Sequence, residues 1–477
     1  MLKNSILESE QLISNNIQEM LRMHLGDTVE LNFNENLSIT QQKAFNLFKK
    51  NKNMLIIGPG GTGKSKIIKT MHEYAKKETN KKMYVTSTTG ISAYSIGGVT
   101  IHSLLGLGTG ELDIDALIRK VGRKKLYRER IINTDILVID EASMLSCELF
   151  EKIHFLCQYI RKNNSFFGGI QVIFSMDPMQ LLPVFNRNKD LYKNIDERLI
   201  VESLIFKKNF VKDNNIIMLT ENFRQKNDPT FINLLNRVRI GTFTDDDIKL
   251  LNTRKIKHTE NSKHVNLVTS NKKAQSINET ELEKIKSKVI KYNTMFNSTG
   301  ENVELKELLT KELQLQFNQK GIVDLVLKKG CRVMLIKNID VEIGLVNGAL
   351  GTIIDFVKDS TSTELIPIVE FDNGVKQTIP SVSWEIEIDE CIATAKQVPL
   401  MLAYSLTIHR SQSQTLESAV LDLSDAFCDA QIYVALSRLC SLETMYLKSF
   451  NPKKITVNKI MKTFLESVTI IQRKQLY

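Results

Sequence analysis

Four short apolar runs with strong strand preference, Met54 to Ile57, Met83 to Thr86, Ile136 to Ile139 and Gln171 to Phe174, alternate with stretches whose apolar positions fall at helical spacing. Regular interleaving of such runs with helices is the pattern of a parallel sheet covered by helices, and it predicts a first α/β domain over 37–210. A second set, Ile216 to Leu219, Val265 to Thr269, Leu402 to Ser405 and Ala419 to Leu423, predicts a second α/β domain over 211–325 and 393–477. Its two parts are separated by 326–392. There Gly330, Gly344, Gly348, Gly351 and the turn Asp372-Asn373-Gly374 punctuate short alternating strands, as in a small inserted SH3-like β-barrel. Residues 1–36 show helical spacing at Ile13, Ile17 and Leu21 in an Asn-rich polar setting and are expected to form an N-terminal extension.

With 477 residues, 42% hydrophobic and 25% charged, the chain has room for two or three domains with real cores. No run approaches the roughly eighteen apolar residues of a membrane span. Glu8 and Glu10 lie where a secretory or mitochondrial leader would be free of acid. An intracellular protein with no membrane partner is expected, with the nucleus favoured over the cytoplasm and a monomer favoured. Cys147, Cys157, Cys331, Cys391, Cys428 and Cys440 form no C-x-x-C pair, which points away from a zinc site or a disulfide framework. The net charge of +10 suits a polyanionic partner. Arg119, Lys120, Arg123, Lys124 and Arg128 fall at spacings that would put a cationic stripe along one helix face, either a solvated surface or a nucleic-acid track.

The sharpest chemistry follows the first strand. Met54 to Ile57 runs into Gly58-Pro59-Gly60-Gly61-Thr62-Gly63-Lys64-Ser65 and then into Ile67, Ile68, Met71 and Ala75 at helical spacing, the strand, loop and helix context that a phosphate loop requires. Its glycines let backbone N–H groups face phosphate oxygens, Lys64 reaches toward the β- and γ-phosphates, and Ser65 offers its hydroxyl to Mg²⁺. The strand Ile136 to Ile139 ends in Asp140-Glu141 at the sheet's carboxyl edge, where ligands bind in open α/β sheets. Asp140 is expected to hold Mg²⁺ and Glu141 to polarise the attacking water. ATP and Mg²⁺ are therefore the expected cofactors.

A phosphate loop alone does not separate helicases from GTPases, kinases or transporters. Asn271-Lys272-Lys273-Ala274 has the Asn-Lys pair of a guanine reader but lacks its Asp. Arg224, in Thr220-Glu221-Asn222-Phe223-Arg224-Gln225, and Arg438, in Ala435-Leu436-Ser437-Arg438, could reach the γ-phosphate if the nucleotide sits between the two α/β domains.

These residues together resemble the petite-integration-frequency (Pif) family of superfamily-one DNA helicases, relatives of RecD, from Leu37 to about Phe450. Leu37-Ser38-Ile39-Thr40-Gln41 is similar to the family's Q motif, in which Gln41 would read adenine. Thr86 to Gly90, with Thr88, and Gly97 to Ser103 resemble its DNA-contacting segments. Asp140 to Val184 resembles its signature stretch, including Gln180 as the γ-phosphate sensor. Gly344 to Gly348, Ile408-His409-Arg410-Ser411-Gln412 and Gln431 to Arg438 complete the match. The chain departs from the family at Met176, Ser413 and Ala430, where glycine is usual, and at Leu182, where proline is usual.

The resemblance implies two RecA-like P-loop domains, a small wedge insertion in the first at about 104–130 and the SH3-like insertion in the second. It implies an ATP-dependent DNA helicase moving 5′ to 3′ on single-stranded DNA and opening duplex or forked DNA, in replication, repair or recombination. Lys64, Asp140, Glu141, Gln180, Arg224 and Arg438 would be catalytic, Gln41, Gly58, Gly60, Gly61, Thr62, Gly63, Lys64 and Ser65 would bind the nucleotide, and Thr88, Thr100, His102, Asn347, His409, Ser411 and Gln412 would contact DNA. The other readings open at this point are an RNA or RNA–DNA hybrid helicase and a nucleotide-gated single-strand binder with a weakened motor.

Overall fold

The computed structural model describes residues 33, 37–108, 112–183, 196–212, 215–256, 264–301, 303–320, 323–340, 342–358, 365–388 and 391–473. Residues 1–38 form a unit of their own, of which Phe33, Leu37 and Ser38 are described, so the expected N-terminal extension lies otherwise outside the described residues. The sheets and the candidate site all belong to the unit from Ile39 onward.

Six parallel strands form the first sheet: β1 (Met54–Ile57), β2 (Met83–Ser87), β3 (Val99–Thr100), β4 (Ile136–Asp140), β5 (Gln171–Met176) and β6 (Ile216–Met218), in the order β3-β2-β4-β5-β1-β6. Every residue of β1, β4 and β5 is buried, which is why these strands read as continuous apolar runs. The helix Cys147–Arg161 covers one face; Ser146 caps it by accepting from Leu149 N at 3.1 Å, and the left-handed Lys162 ends it. Beneath it Phe150, Phe167, Phe174, Phe206 and Phe210 pack with ring centroids 5.0–6.3 Å apart.

Two expected boundaries move. Ile216 to Leu219 is expected in the second domain, but β6 pairs with β1 in parallel, Leu55 opposite Ile216, and closes the first sheet. The helix Lys459–Arg473, also expected in the second domain, places Met461, Phe464, Leu465 and Val468 in the first domain's core beside Phe206, Phe210 and Ile216. Its apolar spacing announces an amphipathic helix, but amphipathicity does not say which surface will receive it.

The second parallel sheet has the order Ser405–Thr407, Val265–Val268, Ala419–Asp422, Met445–Ser449. The expected strand from Leu402 to Ser405 is divided: Leu400–Leu402 pairs antiparallel with Arg332–Leu335 in the insertion, and only Ser405–Thr407 joins the parallel sheet. The insertion contains a five-stranded antiparallel sheet, Lys376–Thr378, Leu365–Phe371, Leu350–Lys358, Arg332–Leu335 and Leu400–Leu402 in spatial order. Smaller antiparallel pairings also recruit Val289–Asn293 and Met295–Thr299, so this β region reaches well beyond 326–392. Those early strands are largely exposed and polar, and only partners distant in sequence define them.

The segment expected to be a wedge forms the helices Ile101–Leu105, Ile114–Arg123 and Lys125–Ile132, with Leu117, Val121 and Ile131 buried in the first core. The basic stripe does not lie on one helix. Lys124 adopts φ −90 and ψ 104 between two helices, which puts Arg128 on a different axis from Arg119. No helix among the described residues is long and apolar enough to cross a membrane.

Candidate functional site

The phosphate loop leaves the carboxyl end of β1 and enters the helix Lys64–Glu78, whose first residue is preceded by Gly63 at φ 79 with no side-chain cap. The helix N-terminus is thus built to present N–H groups to an anion. Gly63 has little freedom to change: besides the left-handed φ, a Cβ there would stand 2.4 Å from Gln41 Nε2. Gln41 is buried and donates to the carbonyls of Thr62 and Gly63, both at 3.3 Å, so it braces the loop from the preceding helix. Lys64 Nζ lies within the loop's curl, donating to the carbonyls of Gly58 at 2.8 Å and Pro59 at 3.1 Å.

One strand separates β4 from β1, and the turn after β4 brings Asp140 and Glu141 into the same 210 Å³ cavity as Gly60 to Ser65. Burial, and next the neighbouring Glu141, push the Asp140 carboxyl up to about 6. Its Oδ1 is buried and meets no hydrogen-bond donor. An orphaned carboxylate oxygen opposite a serine hydroxyl fits a divalent cation held by Asp140 and Ser65, with phosphate and water filling the remaining positions. Among the described residues no group of three His, Cys, Asp or Glu side chains could hold a metal without such help.

Gln180, Arg224 and Arg438 enter the cavity from the other side. A Cβ built on Gly60 would stand 3.5 Å from Arg438 Nη2, 3.5 Å from Gln180 Nε2 and 3.6 Å from Arg224 Nη1, so all three converge on the phosphate loop. Arg438 is 1% exposed; burial, then repulsion from Arg224, pull its guanidinium down to about 10. It is held by the carbonyls of Val434 at 2.9 Å and Gln414 at 3.4 Å, while Arg224 donates to the carbonyl of Ser437 at 2.8 Å. Three cations facing two carboxylates in a confined polar cavity suit a polyphosphate.

The candidate DNA-contacting residues divide into two groups. Thr88 donates to the carbonyl of Glu141 at 3.3 Å, and Asn347, from the insertion, comes so close that a Cβ on Gly90 would be 2.9 Å from the Asn347 Cβ. Thr100 caps the helix carrying His102. His409 sits on the turn Ile408–Ser411, and burial lowers the pKa of both histidines, which keeps them neutral near pH 7. Ser411 and Gln412 are both buried and turned inward. Ser411 is fully buried and donates to the carbonyl of Ile408 at 2.8 Å; Gln412 Nε2 donates to Glu141 Oε2 at 3.1 Å. A linear motif does not reveal that both side chains are spent on contacts inside the protein.

Sequence reasoning missed Tyr433 and Phe427. Tyr433 donates to Asp177 Oδ2 at 3.0 Å and accepts from Gly60 N at 3.4 Å, tying the second domain to the phosphate loop. Phe427 is 68% exposed and its ring stacks 19° from the plane of His409, at 6.3 Å between centroids. An aromatic residue within twenty positions of a candidate DNA residue was the available signal. The departures from glycine at Ser413 and Ala430 fall at φ 66 and 63, the left-handed region that favours glycine.

A six-stranded parallel sheet with the phosphate loop and acid pair on strands one apart, facing arginines carried by following elements, defines a P-loop motor ATPase. Residues 36–249 match the PIF1-like helicase family, and 308–356 match the family described as DNA helicase Pif1, 2B domain. The ATP-dependent DNA helicase PIF1 of Xenopus laevis is 30% identical over 456 residues, covering 94% of this chain and 67% of that protein. Other PIF1 relatives are longer, the chain spanning 54–63% of their length. The crystal structure of Pif1 helicase from Candida albicans superposes with a TM-score of 0.79 at 31% identity, covering 91% of this chain and 99% of that one. Bacteroides Pif1 in complex with ADP-AlF3 and single-stranded DNA gives 0.71 at 28% identity, covering 90% and 96%. The chain belongs to the PIF1-like helicase family.

Proposed function

We propose that this PIF1-like protein, an ATP-dependent DNA helicase, moves 5′ to 3′ along single-stranded DNA and opens forked duplexes, with Mg²⁺ as the ATP counter-ion. The observation that carries the reading is the convergence of Lys64, Asp140, Glu141, Gln180, Arg224 and Arg438 on one small cavity at the phosphate loop. Lys64 and the loop amides would hold the triphosphate. Ser65 and Asp140 would hold Mg²⁺, which would offset charge on the β- and γ-oxygens. Glu141 would orient and polarise the attacking water, and the two guanidiniums would stabilise charge developing on the transferred phosphoryl group. Because Arg438 and Tyr433 come from the second domain, loss of the γ-phosphate would loosen the cleft, and repeated closure would shift one DNA-contacting surface past the other.

Binding of single-stranded and forked DNA is supported by the relatives solved with single-stranded DNA and at forked duplexes. Roles in replication, repair or recombination, within the nucleus or cytoplasm, belong to the same reading. None of Met176, Leu182, Ser413 and Ala430 replaces a charged group of the cavity, which favours an active motor over a passive binder. The deciding experiment compares duplexes with a 5′ tail or a 3′ tail, in DNA, RNA and hybrid form, with and without ATP. Unwinding of the 5′-tailed DNA alone, and only with ATP, is expected; equal unwinding of 3′-tailed substrates would overturn the polarity.

A further inference from the structure

A groove of 660 Å³ on the first domain shares no lining residue with the nucleotide cavity. One wall comes from the stretch between Val201 and Val211, the other from the helix Lys459–Arg473. That helix divides its surface. Met461, Leu465 and Val468 enter the first core, while Ile460, Thr463 and Ser467, three and four residues apart, line the groove over about 10 Å of helix. Phe464 serves both sides: its ring lies 6.2 Å from that of the buried Phe206, and it joins Val201 and Val211 in an apolar floor. Ile460 is left 45% exposed at the mouth.

Around this floor Lys207, Lys208 and Lys459 stand exposed, and none of them forms an ion pair among the described residues. The acid in the lining, Glu202, is already committed, accepting from Leu199 N at 2.8 Å. Lys207 and Lys208 open the π-helical turn Lys207–Lys212, a rare backbone form that concentrates at functional sites. The groove therefore combines an apolar bed with a cationic rim. A nucleic-acid strand matches only the rim, since its charged backbone would press on apolar surface and Phe464, 9% exposed, offers no open ring for a base. A peptide helix with an apolar stripe flanked by carboxylates matches both, and a trough between two helical walls is the shape that receives one.

We propose that this groove docks an acidic amphipathic helix of a partner protein. Apolar side chains of the partner at positions i, i+3 or i+4, and i+7 seat against Val201, Val211 and Phe464, and its flanking carboxylates meet Lys207, Lys208 and Lys459. Ion pairs in open water are individually weak, so the floor supplies most of the affinity and the lysines select the sign of the partner's charge. Because the helix touches no residue of the nucleotide cavity, docking recruits the motor without altering its turnover.

The test titrates the full chain into a fluorescein-labelled synthetic helix of about sixteen residues, leucine on one face and glutamate on the flanks, and reads fluorescence anisotropy. The control peptide carries lysine in place of glutamate. Binding of the acidic peptide with a dissociation constant on the order of 10 µM, and none of the basic one, is expected. The double variant Lys207→Glu, Lys208→Glu and the groove-filling Thr463→Trp should each weaken it by about tenfold or more, with DNA-stimulated ATPase kept within about twofold of wild type. Both changes fall on exposed residues, and the lysine pair decides the matter if the tryptophan disturbs the helix. No saturable binding below about 1 mM, equal binding of the two peptides, or affinity unmoved by the lysine pair would overturn the proposal. Three further outcomes overturn it by naming another occupant: displacement of the peptide by a single-stranded oligonucleotide, self-association of the chain that Thr463→Trp abolishes without peptide, or lysine-dependent binding to phosphatidylserine vesicles when the peptide does not bind.

Discussion

Asp177 and Arg239 form an ion pair closed off from solvent, with Nη2 2.6 Å and Nε 3.0 Å from Oδ1, while the Tyr433 hydroxyl donates to Oδ2. Asp177 follows β5 of the first domain, and Arg239 lies on the helix Pro229–Ile240, which packs in the second core. The pair is therefore a clasp between domains, linked to the phosphate loop by two hydrogen bonds, Tyr433 to Asp177 and Gly60 N to Tyr433.

Breaking one side of that clasp leaves a buried charge unmatched. Asp177→Asn should destabilise the protein by about 3–5 kcal/mol, read as the midpoint of denaturant unfolding. Burial opposes ionisation of Asp177, but Arg239 overrides it and holds the carboxyl below its ordinary value of 3.8. The group's folded pKa is depressed, so its stabilising contribution is present above that ordinary value and is lost as pH falls through the lower, folded one. The expected results are a wild-type contribution from this site that is steady from pH 7 to about pH 5, and a deficit in the Asp177→Asn variant that disappears only in strong acid.

Lys64→Ala should abolish ATP turnover and unwinding while single-stranded DNA binding, measured by fluorescence anisotropy, is largely retained. Arg438→Ala should lower turnover by about 10³-fold or more while nucleotide affinity falls much less, since its guanidinium acts on charge that develops only during transfer. Equal losses in binding and turnover would instead assign Arg438 to ground-state contacts.

Asp140 connects the site to pH. Burial and Glu141 raise its pKa to about 6, so before a metal binds it keeps its proton until the pH rises through that value. Metal requires the ionised form, so Mg²⁺-dependent ATP affinity should weaken as pH falls from 7 to 5, and higher Mg²⁺ should move the acid limb to lower pH because metal and proton compete for one carboxylate. Asp140→Asn should remove this limb along with activity. A limb that does not respond to Mg²⁺ would place the titration elsewhere.

Phe427 presents its ring to solvent beside His409. Phe427→Ala should weaken single-stranded DNA binding by about 1–3 kcal/mol, with little change in DNA-free ATPase, if a base stacks there. Titration of labelled oligonucleotides at fixed salt measures it, and unchanged affinity would make the ring a structural neighbour of His409 only.

Much of the first domain was legible because its information is local. Met54 to Ser65 contains strand, loop and helix in consecutive residues, and Ile136 to Glu141 ends an apolar run in the acid pair; each follows from one continuous stretch of chain. Ser411 and Gln412 were harder, since a turn of four residues decides whether neighbouring side chains face the solvent or the cleft, and nothing in their types distinguishes the two.

The residue order by itself determined the phosphate loop, the acid pair, the alternation that makes two parallel sheets and the likeness to a helicase family, because each depends on spacing within a segment. Tertiary structure alone decided that β6 and the last helix complete the first domain, that the insertion borrows strands from both flanks, and that Tyr433 and Ser413 meet residues more than two hundred positions away while Arg239 reaches back to Asp177. Those outcomes depend on which buried surfaces and unpaired donors find one another once the chain is compact, and a one-dimensional pattern records the need for a partner without naming it.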